Sequence, residues 1–191
     1  NEEISTISGR RLGRAFRVNA RFVVDATGPR GFLHRTLGLD EASFSRLPRT
    51  ESLYTHFSHV KCMEEMTFSP WKEKAPYPLD DAAVHHVFDG GWMWVLNFNN
   101  DITSAGVAVR CELARELRLE EGRSAWDRLL ERLPSVAEQF AEAKPLFEFS
   151  HVPQLSFRSE KASGPGCVLL PSAAGFVDPL MSTGFPLTLL G

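Results

Sequence analysis

The sequence predicts an α+β protein: part of an α/β layer, joined to an antiparallel sheet with helices against one side. Three observations carry this expectation. Twice a short apolar run ends in a turn of small residues, Phe22-Val23-Val24 before Asp25-Ala26-Thr27-Gly28 and Cys167–Leu170 before Pro171–Gly175. Such continuous runs are expected of strands buried on both faces. Between them, residues 51–110 hold four strand-like segments separated by turn residues. Residues 124–143 then carry apolar side chains at helical spacing.

Taken in order, residues 7–28 read as strand, turn, strand, with Phe16 and Val18 alternating with Arg17. Phe32, Leu33 and Leu37 follow with helical spacing, and Gly38 stops the helix. The four middle segments cover residues 51–62, 82–89, 91–99 and 102–110. Asp89-Gly90-Gly91 is a strong hairpin signal, and Asn99-Asn100-Asp101 separates the last two segments. This is the grammar of an antiparallel meander. On its third strand, a period of two places Trp92, Trp94, Leu96 and Phe98 on one face and Met93, Val95 and Asn97 on the other. Ser124 suits an N-cap for the helix carrying Trp126, Leu129, Leu130 and Leu133. Pro134 breaks it, and Val136, Ala137 and Phe140 suggest a second short helix. Residues 147–159 read as extended.

At 191 residues the chain has room for a sizeable domain, or a domain and a subdomain. A net charge of −3 and a pI near 6.1 argue against a nucleic-acid binder. No apolar run approaches the roughly 18–20 residues of a membrane span, and the acidic start, Asn1-Glu2-Glu3, has no signal-peptide pattern. Cys62, Cys111 and Cys167 are far apart and in no metal or redox spacing, so they read as reduced thiols of a cytoplasmic protein. The apolar helix that starts after Gly184 meets the end of the sequence without a C-cap signal, which makes a piece of a larger protein the expectation.

Small residues at the end of a strand let backbone approach a ligand closely. Ala173, Ala174 and Gly175 leave room for a bulky flat group, and Ser182-Thr183-Gly184 present amides to anionic or carbonyl oxygens. Read from residues alone, a tight core crossing without a ligand explains them equally well. His56, His59 and Cys62 are weak metal candidates, because His56 and His59 point to opposite faces of a strand; no metal is expected. Arg10, Arg11 and Arg14 read as a solvated hairpin face, with phosphate attraction as the sharper alternative.

Residues 23–33, VVDATGPRGFL, and 171–191, PSAAGFVDPLMSTGFPLTLLG, resemble the flavin-binding segments of FAD-dependent monooxygenases and flavin-dependent halogenases. The resemblance implies a glutathione-reductase-type FAD fold. Residues 1–50 and 156–191 would belong to the FAD-binding domain, and 51–155 to the substrate-side sheet. It implies cofactor contacts from Asp25, Ala26, Thr27 and Gly28, and from Ser172, Gly175, Asp178, Pro179, Ser182, Thr183 and Gly184. It further implies FAD, an external flavin reductant or reductase, dioxygen and a small organic substrate. Trp92, Trp94 and Phe98 are the substrate-wall candidates, with core packing as the alternative. No residue stands out as a general acid or base.

Three departures from the family pattern shape the expectation. The Gly-x-Gly-x-x-Gly fingerprint is absent from the sequence. Pro171-Ser172 stands where the family has Gly-Asp, so a hydroxyl replaces a carboxylate. Trp92-Met93-Trp94-Val95-Leu96-Asn97 stands where halogenases carry Trp-x-Trp-x-Ile-Pro. The last departure favours oxidation without halogen transfer. The alternatives are a non-enzymatic α+β binding module and a geranylgeranyl-reductase-like flavoenzyme.

Overall fold

In a computed structural model of the chain, the described residues are 5–43, 49–66 and 76–190. Asn1-Glu2-Glu3 and Gly191 lie outside them. The first elements are strands β1 (Ser5–Arg11), β2 (Arg14–Ala20) and β3 (Val23–Asp25), then helix α1 (Phe32–Leu37). Next come β4 (Thr50–Ser58), β5 (Val84–Phe88), β6 (Gly91–Asn97) and β7 (Ile102–Arg110). Helices α2 (Cys111–Leu117), α3 (Arg123–Arg132) and α4 (Pro134–Gln139) follow. The remaining elements are β8 (Lys144–Pro145), β9 (Ser150–Val152), β10 (Phe157–Arg158), β11 (Ser163–Gly164), β12 (Cys167–Leu169), α5 (Pro171–Ala174), β13 (Gly175–Phe176) and α6 (Gly184–Leu190). Contacts divide the chain into two compact units, Asn1–Leu47 with Ser156–Gly191, and Pro48–Leu155.

In the first unit β3 pairs in parallel with β12, Val23 opposite Cys167, and β11 flanks β12 on its other side. A parallel pair formed from residues more than 140 apart places the two small-residue turns at the same, C-terminal end of adjacent strands. Leu33, Leu169 and Ala173 form a small core beneath them, with Val23 and Phe32 packed alongside. Phe22 and Val24 depart from the expected burial on both faces: each is 55% exposed. Among the described residues β3 is an edge strand, and Val24 lies on a face that nothing covers. Gly38 ends α1 in the left-handed conformation, φ 59°, as its position predicts.

The second unit is built on one antiparallel sheet in the order β5-β6-β7-β4-β8, with β9 also paired to β4. Its two faces differ sharply. Leu53 and Phe57 of β4, Met93 and Val95 of β6, and Ala105, Val107 and Val109 of β7 are buried beneath α2, α3 and α4. Trp126 of α3 is their main cover, its ring 5.2 Å from Phe57 and 5.4 Å from Phe140. Each large apolar side chain buried this way contributes about 1.5–3 kcal/mol. His86, on the same face, donates to Gln139 Oε1 at 2.9 Å, and burial pushes its pKa below the usual histidine value. Gly122, not Ser124, precedes α3; its φ of 59° turns the chain into the helix, and its carbonyl accepts from Trp126 N.

Candidate functional site

Asp25 decides the shape of the first small-residue turn. Its side chain, 2% exposed, accepts from Thr27 N at 2.9 Å, Thr27 Oγ1 at 2.7 Å and Leu33 N at 2.6 Å. Thr27 Oγ1 in turn accepts from Phe32 N at 2.6 Å. One carboxylate thus closes the turn and caps the start of α1. Burial raises the Asp25 pKa. The donors of Thr27, with the Leu33 and Phe32 amides, outweigh that and hold the carboxyl below its ordinary value. Gly28 supplies the left-handed corner, φ 84°. Gly31 is required for space: an added Cβ would lie 2.1 Å from Thr27 Oγ1 and 2.8 Å from the Gly28 carbonyl.

The second turn is built differently. Ser172, Gly175, Pro179, Ser182, Thr183 and Gly184 line one cleft of about 400 Å³, together with Phe176, Val177 and residues of α6. Asp178 does not line it. Its carboxylate accepts from Leu180 N at 2.9 Å, and its carbonyl accepts from Thr183 Oγ1 at 3.1 Å. The hydroxyls of Ser172 and Ser182 have no hydrogen-bond partner among the described residues, nor have the Thr183 and Gly184 N–H groups. Ser182 is in the left-handed region, φ 52°, a conformation a non-glycine residue holds only where its surroundings impose it. Gly184 faces open space.

In the second unit, the sheet face opposite the helices is aromatic. Trp92 and Trp94 lie 5.7 Å apart, Tyr54 lies 6.1 Å from Trp94, and His85 stands edge-on to Trp92 at 5.0 Å. The Trp94 ring rests on Gly106, where an added Cβ would come within 2.4 Å of it. Trp92 is 6% exposed, as a packed side chain is, whereas Phe98 is 48% exposed. Phe98 lies just beyond β6 and stacks on His56 at 6.4 Å. Tyr54, His56 and His85 were missed as members of this face, although the period of two in β4 and β5 points to them. Asn97 lies on the helix side. It donates to Asp80 at 2.8 Å and accepts from Thr103 Oγ1 at 2.6 Å. His56 and His59 go to separate partners, and no group of three or more metal-ligating side chains forms among the described residues.

Comparison with known proteins extends the resemblance to the whole chain. The family described as tryptophan halogenase matches residues 2–191. The tetracycline 7-halogenase of Kitasatospora aureofaciens is 32% identical over 176 residues, 87% of this chain and 31% of that protein. The monodechloroaminopyrrolnitrin halogenase PrnC of Pseudomonas fluorescens is 32% identical over 174 residues, 88% of this chain and 30% of that protein. The crystal structure of halogenase PltM in complex with phloroglucinol and FAD superposes with a TM-score of 0.80 at 28% identity, covering 98% of this chain and 40% of that one. The chain therefore spans about a third of the length of the curated relatives it matches. These relatives support neither the binding-module nor the geranylgeranyl-reductase alternative. The cleft suits the cofactor in the PltM complex: free hydroxyls and amides meet an oxygen-rich chain, and small residues admit a flat ring.

Proposed function

Because the chain belongs to the tryptophan halogenase family, we propose that the whole protein is a FAD-dependent oxidoreductase that halogenates a small organic substrate. This chain then supplies part of its flavin site and its substrate-side sheet. The observation that carries the reading is the cleft beside the second turn, whose uncommitted polar groups all belong to the segment that resembles the family's flavin loop. Ser172 Oγ and Ser182 Oγ would hold hydroxyls of the ribityl chain, and the Thr183 and Gly184 amides would face oxygens at the ring. Thr183 takes part through its amide, since its hydroxyl is bound to Asp178. Bound FAD, once reduced by an external reductase, supplies the two electrons that bring dioxygen to the oxidation level of peroxide, the oxidant a halide requires. Asp25, Ala26 and Gly28 act by shaping the first turn rather than by touching the cofactor through side chains.

Trp94 and Phe98 are our candidates for the substrate wall, with Trp92 packed behind them. The expectation of oxidation without halogen transfer rested on Leu96-Asn97. Asn97 faces the helix side and holds Asp80, so its replacement of proline leaves the tryptophan face unaltered. We therefore favour halogen transfer. The test uses full-length protein with FAD, a flavin reductase, dioxygen and bromide, and electron-rich phenols as probes, phloroglucinol first. A product carrying the bromine isotope pattern is expected. An oxygenated product without bromine would keep the flavoenzyme and remove the halogenase; failure to bind FAD would remove both.

A further inference from the structure

The β1–β2 hairpin carries a second signal, independent of the flavin reading. Residues 5–21 hold five arginines, Arg10, Arg11, Arg14, Arg17 and Arg21, and no acidic residue. The whole chain has a net charge of −3, so everything outside the hairpin carries −8, the difference between −3 and +5. Charge is sharply divided within one sequence. The hairpin forms a sheet of its own, and both its strands are exposed almost throughout.

Its tip violates three local rules at once. Arg11 and Arg14 stand directly opposite each other across the strands, and like charges so placed repel. Among the described residues no carboxylate pairs with Arg11, Arg14 or Arg17. Leu12 occupies the left-handed region at φ 49° and is 95% exposed, although Asn or Gly would make that turn without strain. Phe16 and Val18 share the face of Arg11 and Arg14 and are 41% and 50% exposed. A two-stranded hairpin is marginal alone in water. Features that weaken it further point to a role other than stability.

We propose that this tip docks an acidic protein, Leu12 entering an apolar cleft whose rim carboxylates pair with Arg10, Arg11 and Arg14. One such occupant relieves the repulsion, covers Leu12 and engages the exposed apolar face. Arginine, the only basic residue used here, forms the two-point contacts that carboxylates accept. Extended polyanions such as duplex DNA or an anionic membrane would also meet the acidic remainder of the chain, whereas a protein surface can engage the hairpin alone.

The test uses full-length, FAD-loaded protein and a fluorescent synthetic helical peptide, glutamate-rich with leucine at every third or fourth position, followed by anisotropy at low and physiological salt. The Arg11→Glu/Arg14→Glu variant should bind about tenfold more weakly and lose the salt dependence. Leu12→Asn should bind several-fold more weakly and keep it. Arg11→Glu alone places opposite charges across the strands and should raise the melting temperature, so its lost binding is not lost folding. Equal binding by wild type and the double variant, or by wild type and Leu12→Asn, would overturn the proposal. So would duplex DNA or phosphatidylserine vesicles binding as tightly as the peptide.

Discussion

The two small-residue turns share a sequence grammar and sit at the ends of paired strands, yet their polar groups go to opposite uses. In the first, Asp25 takes up Thr27 and Leu33 donors, and Thr27 takes up Phe32. The turn is satisfied internally and has no hydroxyl left to offer. In the second, Asp178 serves only its own corner, while Ser172 and Ser182 face a cleft with nothing bound to their hydroxyls. The difference teaches that a run of small residues marks close approach of backbone, and that the position of the carboxylate decides whether the approach is to the chain itself or to a ligand.

The comparison breaks most visibly at Asp25. Asp25→Ala leaves several buried donors unpaired and should cost about 3 kcal/mol of stability, at roughly 1–3 kcal/mol for each unsatisfied group; urea unfolding of full-length protein without FAD measures it. The pH dependence has a definite sign. The folded-state pKa is lowered, so the Asp25 contribution is complete above the unfolded value near 3.8 and is lost as pH falls through the lower folded value. Asp25→Asn should flatten the stability profile in that acid range. An unchanged profile would mean that the carboxylate does not hold the turn.

A glycine pair sharpens the contrast. Gly31→Ala forces a Cβ against Thr27 and should cost about 2 kcal/mol, in the range of overpacked sites. Gly184→Ala places its Cβ in open space, so stability should move by no more than about 0.5 kcal/mol, while FAD affinity falls. Melting curves without FAD, beside FAD titration of apo-protein, separate the two. Reversed results would exchange the roles of the turns.

The smallest effect is at Ser172. A neutral hydrogen bond contributes about 0.5–1.5 kcal/mol net, so Ser172→Ala should weaken FAD by about tenfold at most, with little change in melting temperature without FAD. A lower melting temperature at unchanged affinity would make Ser172 a turn residue and take it out of the cofactor site.

Much of this was legible along the chain. Alternation in Trp92–Asn97 separated the aromatic face from Met93 and Val95, because a strand's period of two is set by covalent geometry. The Asp89-Gly90 hairpin, the stop at Gly38 and the helix carrying Trp126 followed from equally local rules. Local rules failed where several residues competed for one role. Ser124 has the chemistry of an N-cap, but Gly122 reaches the left-handed angle that the α3 entry needs. Asp25 reads as a cofactor ligand until its carboxylate is seen to be taken up by the turn that follows.

The sequence by itself determined the family, the α+β class and the segments that approach a flavin, because strand period, turn chemistry and motif order are written in neighbouring residues. Only the tertiary structure decided which polar groups stay free. Pairing Val23 with Cys167 brings together two turns more than 140 residues apart, and hydrogen bonds within each then commit Asp25 and Asp178 while leaving Ser172 and Ser182 uncommitted. A side chain's availability depends on which donors and acceptors the fold brings within about 3 Å of it, and spacing along the chain does not contain that distance.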